Sequence, residues 1–143
     1  MSLTPKENNL SLSKFESMLK TNSVYFFDSL EFEEIIHYYI DSGKITLAKK
    51  AVKLALKQHP NSIILKLLQA ELLIFDDNLN EAVVLLNELQ AIEPTNEEIY
   101  VQQASIYSKK DDHFNAINSL KIALEYTDDK ADVLAMIGME YLY

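Results

Sequence analysis

A proline closes the stretch "AVKLALKQHP" at Pro60, and thirty-four residues later another closes "VLLNELQAIEP" at Pro94. Sliding the sequence against itself by that interval aligns far more than the two prolines. Ala48, Ala82 and Ala116 fall in one column, and Tyr39, Leu73, Tyr107 and Tyr141 in another. A second small column holds Ala70, Ala104 and Gly138, with Ile36 as its one bulky member. Apolar columns recur at Val52, Leu86 and Leu120 and at Ala55, Leu89 and Ala123, while Gln90 interrupts the column of Leu56 and Leu124. Self-similarity at such a period describes stacked copies of one small unit, each unable to bury its apolar face alone.

Within each copy two amphipathic helical patterns flank a short break, at Ser42-Gly43, Asp76-Asp77-Asn78 and Lys110-Asp111-Asp112. The chain has two glycines and three prolines, too few for the turns of an all-β fold. Asp28 and Thr95 each precede a glutamate by three residues, Glu31 and Glu98, which reads as a capping box at two helix starts. Helices are expected at 29–42, 44–58, 62–76, 79–92, 96–110, 113–126 and 130–142. The small columns have a physical reason: an alanine where two helices cross lets their axes approach, and a bulkier side chain there overpacks.

This pattern resembles the tetratricopeptide repeat family over residues 29–143. The first repeat supplies Phe32, Ile35, Tyr39, Gly43, Ala48, Val52, Ala55 and Pro60 in the family's order. Departures fall at Lys66 in place of an aromatic, at Ile36 in place of a small residue, and at Asp128 in place of proline. The resemblance implies an all-α, right-handed α-α superhelix of about three and a half helix-turn-helix repeats plus an N-terminal helix. The expected divisions are an N-terminal helical cap segment over 1–28 and an array over 29–143, with repeats 29–62, 63–96, 97–130 and a partial one at 131–143. The last unit has a single helix, so the chain is expected to be a fragment of a longer repeat protein, and abundant lysine, asparagine and isoleucine with no arginine point to a bacterial one.

Composition removes several function classes. The formal charge is −9, from 22 acidic residues against 13 lysines, so a nucleic-acid backbone is a poor ligand. Lys44, Lys49, Lys50, Lys53, Lys57 and Lys66 cluster, and the middle four share the outer face of one helix, where charge is ordinarily solvated. Cysteine is absent, which excludes disulfides and thiolate metal sites. The polar start "MSLTPKENNLSLSKFE" is no signal peptide, no stretch suits a membrane span, and a cytoplasmic location is expected.

Stacked helix pairs of this kind offer a concave groove to partners. At about 100° per residue, the groove-facing positions of the first helix of each repeat are Leu30, Glu33, Glu34, His37 and Asp41, then Ile64, Leu67, Leu68, Glu71 and Phe75, then Glu98, Gln102, Ser105 and Lys109. The helix "SIILKLLQAELLIF" is thus apolar on both faces, and Ile64, Leu68 and Phe75 need a cover. A partner, a second copy and the N-terminal segment are the three candidates. That segment aligns Leu12, Phe15, Met18 and Leu19 on one face, and with Val24 to Phe27 it is expected to cap the open end of the first repeat. The final helix, 130–142, leaves Met136, Met139 and Tyr143 exposed and is a candidate homodimer contact.

The family's grooves often clamp a chaperone's C-terminal carboxylate with lysines and asparagines, but Glu33, His37, Leu68, Glu98 and Gln102 stand at those positions and would repel it. A protein or peptide with a hydrophobic anchor and a basic flank fits better. Glu33, His37 and Asp41, at i, i+4 and i+8, have one imidazole and no opposing ligands, so a polar wall is expected rather than a metal site. His59 and His113 read as surface residues. With no phosphate loop, nucleophile elbow or paired-histidine motif, no enzyme, metal or cofactor is expected. The expected function is a non-catalytic protein-interaction module; the alternatives are a self-associating scaffold or a regulatory domain of a longer protein.

Overall fold

The computed structural model describes residues 5–143, with side chains from Leu10 onward. Among the described residues there are eight helices and no strand: α1 (Pro5–Thr21), α2 (Ser29–Asp41), α3 (Ile45–Gln58), α4 (Ile63–Phe75), α5 (Leu79–Ile92), α6 (Glu97–Lys109), α7 (His113–Tyr126) and α8 (Lys130–Tyr141). From α2 onward, each helix ends within one residue of the position that the sequence pattern implies. Two compact units divide the chain, one up to Gln69 and one from Ala70 on, with α4 running through the division.

The turn inside each repeat has one geometry used three times. Gly43 (φ 73°), Asp77 (φ 60°) and Asp111 (φ 59°) take the left-handed conformation at intervals of thirty-four residues. In each case the next amide reaches back to the carbonyl five residues earlier: Lys44 to Tyr39 at 2.8 Å, Asn78 to Leu73 at 2.9 Å, Asp112 to Tyr107 at 2.9 Å. This satisfies a carbonyl that the helix end would leave bare. Glycine adopts that backbone freely, whereas the two aspartates carry a steric cost.

The turn between repeats also recurs. His59, Glu93 and Thr127 leave the helix while their amides bond to Ala55, Leu89 and Ala123 at 2.8, 2.8 and 2.9 Å. Prolines 60 and 94 enforce the first two exits, because the residue before proline avoids the helical region. Asp128 cannot do so, and the third turn is closed by another means: the Thr127 hydroxyl accepts from the Asp129 amide at 3.0 Å, and Asp129 then caps α8 through the Asp132 amide at 3.2 Å.

The capping box at α2 is present, with Asp28 accepting from the Glu31 amide at 2.8 Å and Glu31 accepting from the Asp28 amide at 3.2 Å. The cap of α6 differs from the reading that placed it at Thr95. Asn96 is the N-cap, accepting from the Glu98 amide at 3.1 Å. Its amide bonds to the Glu93 carbonyl, so the turn after Pro94 carries the chain one residue further before the helix opens.

In the first unit α1 packs against α2 and α2 against α3. Phe15 of α1 is fully buried, with its ring 6.0 Å from Phe27, 6.4 Å from Phe32 and 6.1 Å from Tyr39. Each such aromatic pair adds about 0.5–1.5 kcal/mol beyond burial of area. The extended segment between α1 and α2 is stitched to the end of α3. Gln58 accepts from the Phe27 amide at 3.0 Å and donates to the Tyr25 carbonyl at 2.8 Å. His59 Nε2 lies 2.7 Å from the Phe27 carbonyl, and its ring packs on Phe26 and Phe32. His59 is therefore a half-buried tether, where the sequence suggested a residue with no such role.

In the second unit α6 packs on α7 and α7 on α8, around Tyr100, Ala104, Ala116, Leu120, Ala123 and Val133. The alanine column behaves alike throughout, since Ala48, Ala82 and Ala116 are all 0% exposed.

Candidate functional site

The outer faces of the first helices sort by column. Leu30, Ile64 and Glu98 are exposed, as are His37, Glu71 and Ser105, and so are Asp41, Phe75 and Lys109. These three columns lie within about 20° of one line on the helix, by the rotation of about 100° per residue. One step round, the column of Glu34, Leu68 and Gln102 turns inward: Glu34 is half-buried, and Leu68 and Gln102 are buried. Glu33 is half-buried and Leu67 buried. The large apolar members of these exposed columns in α2 and α4 are thus Leu30, Ile64 and Phe75, at 63%, 47% and 60% exposure, and Leu67 and Leu68 are buried.

Polar groups on these faces engage one another. In the first unit His37 Nε2 stands 3.9 Å from Glu33 on the preceding turn of α2. In the second, Gln102 donates to Glu98 at 3.3 Å, and the Lys109 ammonium meets Asp77 at 2.9 Å. Lys109 thereby ties the end of α6 to the left-handed residue after α4. Fifteen of the 22 acidic residues and four of the 13 lysines lie from Ala70 onward, so the second unit carries the net negative charge.

Among the described residues no three histidine, aspartate or glutamate side chains gather where a metal ion could sit. Tyr39 has its phenol pushed well above the usual range, by burial first and then by the charge and hydrogen bond of Glu16, whose carboxylate accepts from the hydroxyl at 3.3 Å. That pair joins α1 to α2. His113 is half-buried and engaged: Nδ1 lies 2.6 Å from Glu140 and its ring stacks on Tyr143 at 5.0 Å. Among the described residues no helix is long and apolar enough to cross a membrane.

Neither a protein-family model nor a curated protein matches the sequence. Solved structures do. MamA AMB-1 is similar at a TM-score of 0.64 and 18% identity, over 95% of this chain and 83% of that one. MamA 41-end from Desulfovibrio magneticus RS-1 is similar at 0.62 and 13% identity, over 98% and 86%. MamA MSR-1 is similar at 0.59 and 18% identity, over 95% and 81%. At these identities the likeness is one of fold. Together with the thirty-four-residue period, the helix pairs and their recurring turn, it shows an all-α helical-repeat fold of the kind that the resemblance to tetratricopeptide repeats implies.

Proposed function

We propose that this chain is a non-catalytic protein-interaction module of the cytoplasm, whose first helices receive a peptide or helix bearing a hydrophobic anchor and a basic flank. One observation carries the reading: the same three columns stay exposed in each repeat, and on α4 two of them hold the large apolar residues Ile64 and Phe75. Large apolar residues clustered at exposed positions and rimmed by charge mark contact surfaces. Aliphatic burial would supply affinity, and the surrounding acids would set the sign of the flank and speed encounter. Three polar pairs of these faces, Glu33 with His37, Glu98 with Gln102 and Asp77 with Lys109, are internal to the chain. A second reading, self-association through α8, is favoured by the exposure of Met136 and Met139.

The test is a titration, by fluorescence anisotropy, of peptides with a central leucine or phenylalanine flanked by lysines or by glutamates. Lysine-flanked peptides should bind more tightly, with an advantage that shrinks as salt rises. Ile64→Glu with Phe75→Glu should abolish binding and leave the fold intact, because both side chains already face water. Equal binding by the double variant, or a preference for acidic flanks, would sink the reading.

A further inference from the structure

α3 carries a charge pattern that the repeat does not require. No acidic residue stands between Asp41 and Glu71, and within that interval Lys49, Lys50, Lys53 and Lys57 lie on one helix. By the rotation of about 100° per residue they share an arc of about 100°, opposite the buried Ala48, Ala51, Val52 and Ala55, and all four are exposed. One period on, the same positions hold Val83, Val84, Asn87 and Ala91, so packing of the helix pair does not call for charge there. Lysines four residues apart repel each other along the stripe, and among the described residues no ion pair engages Lys50, Lys53 or Lys57. The first unit holds nine of the 13 lysines and seven of the 22 acids, so it is positive in a chain that is negative.

At the C-terminal end of the same helix, two large apolar side chains stand in solvent. Between α1 and α2 exposure alternates: Tyr25 is half-buried and Phe27 fully buried, whereas Val24 is 88% and Phe26 68% exposed. The bonds of Gln58 and His59 to Tyr25 and Phe27 hold this backbone against the end of α3, and the Phe26 ring rests 5.2 Å from that of His59. Val24 and Phe26 are thereby fixed beside the lysine helix. Lys14 adds a further exposed cation, its Nζ 5.7 Å from the Tyr25 and Phe27 ring centres.

We propose that α3 and the segment stitched to its end bind an anionic lipid surface, with headgroups on the α3 lysines and with Val24 and Phe26 entering the interface. A bilayer accounts for the lysines and the apolar pair at once. An acidic peptide would answer the lysines and leave Val24 and Phe26 in water; an apolar peptide would do the reverse. Four lysines along about 12 Å of helix are point charges on flexible stems, which suit a fluid array of headgroups better than a rigid bidentate partner. Lysine clusters of this size are drawn to anionic leaflets, each lysine near the surface adding about fivefold to partitioning. Shallow insertion of apolar side chains supplies the short-range part. The association is peripheral, since among the described residues no helix is long and apolar enough to cross a membrane.

Sedimentation of the whole chain with phosphatidylcholine vesicles, with and without phosphatidylserine, tests this. The expected result is binding only where phosphatidylserine is present, falling as salt rises. Replacing Lys50, Lys53 and Lys57 together by glutamine should weaken it at least about tenfold. The fold should survive, because all three side chains face water, and thermal melting checks that. The chain has no tryptophan, so Phe26→Trp gives a single reporter whose emission should shift to the blue on those vesicles and not with free phosphoserine. Binding that ignores the three lysines, or that leaves the emission unchanged, would overturn the proposal. No vesicle binding at low salt would overturn it too, and binding of polyglutamate in its place would assign the lysines to an acidic protein segment. Neither outcome touches peptide binding at Ile64 and Phe75, which is read separately.

Discussion

Replacing Ala82 by leucine probes the repeat at its tightest point. Ala82 is 0% exposed, as are Ala48 and Ala116 one period to either side, so three added carbons have no route to solvent. Overpacking of this kind costs about 1–3 kcal/mol. At about 2–4 °C per kcal/mol for a chain approaching 150 residues, the melting temperature should fall by about 2–12 °C. Asn87→Leu, at an exposed position of the same helix, is the control and should change stability by less than about 0.5 kcal/mol. Thermal melting followed by circular dichroism reads both. The period adds a stricter requirement, that Ala48→Leu and Ala116→Leu each lose a similar amount. If Ala82→Leu melts with the wild type, or if only one of the three alanines is sensitive, the reasoning from equivalent columns fails.

Other expectations are as direct. Leu68→Ala should cost about 2–5 kcal/mol, as burial demands, whereas Ile64→Ala four residues earlier should cost far less; urea denaturation compares them. Tyr39 should make stability fall at high pH: its folded-state phenol resists ionisation while the unfolded one ionises near about pH 10, so stability is full below that pH and declines above it. Tyr39→Phe should flatten that decline by one proton's slope in melts from pH 8 to 11. Asp111→Gly should gain about 0.5–1 kcal/mol by relieving its left-handed backbone, a gain that a rise in the urea midpoint would report.

The period made the helices legible because proline, glycine and alanine punctuate at fixed steps. It did not reveal the backbone of Asp77 and Asp111, although Gly43 stands in their column. Thr95 was read as a cap from its spacing to Glu98, and the one-residue extension of the turn after Pro94 gives the role to Asn96 instead. Leu68 lies only about 40° from Ile64 round the helix, and the edge of a buried arc depends on what packs there, which periodicity does not carry. The tether of Gln58 and His59 to Tyr25 and Phe27 joins residues more than thirty apart through polar atoms without any repeating pattern. Glu140 and His113 escaped notice for the same reason.

The correction at Leu68 changes how the binding face is tested. A charge placed at Leu68 would unfold the protein and imitate a loss of binding, so Ile64 and Phe75 are the positions to alter. The central claim, that a partner docks on the exposed columns of the first helices, is tested most directly by methyl NMR of the isoleucines during titration with the tightest lysine-flanked peptide. The account predicts saturable shifts centred on Ile64, with the buried Ile35, Ile36 and Ile99 staying in place. Shifts centred instead on Ile122 and Ile137, or none at saturating peptide, would contradict it.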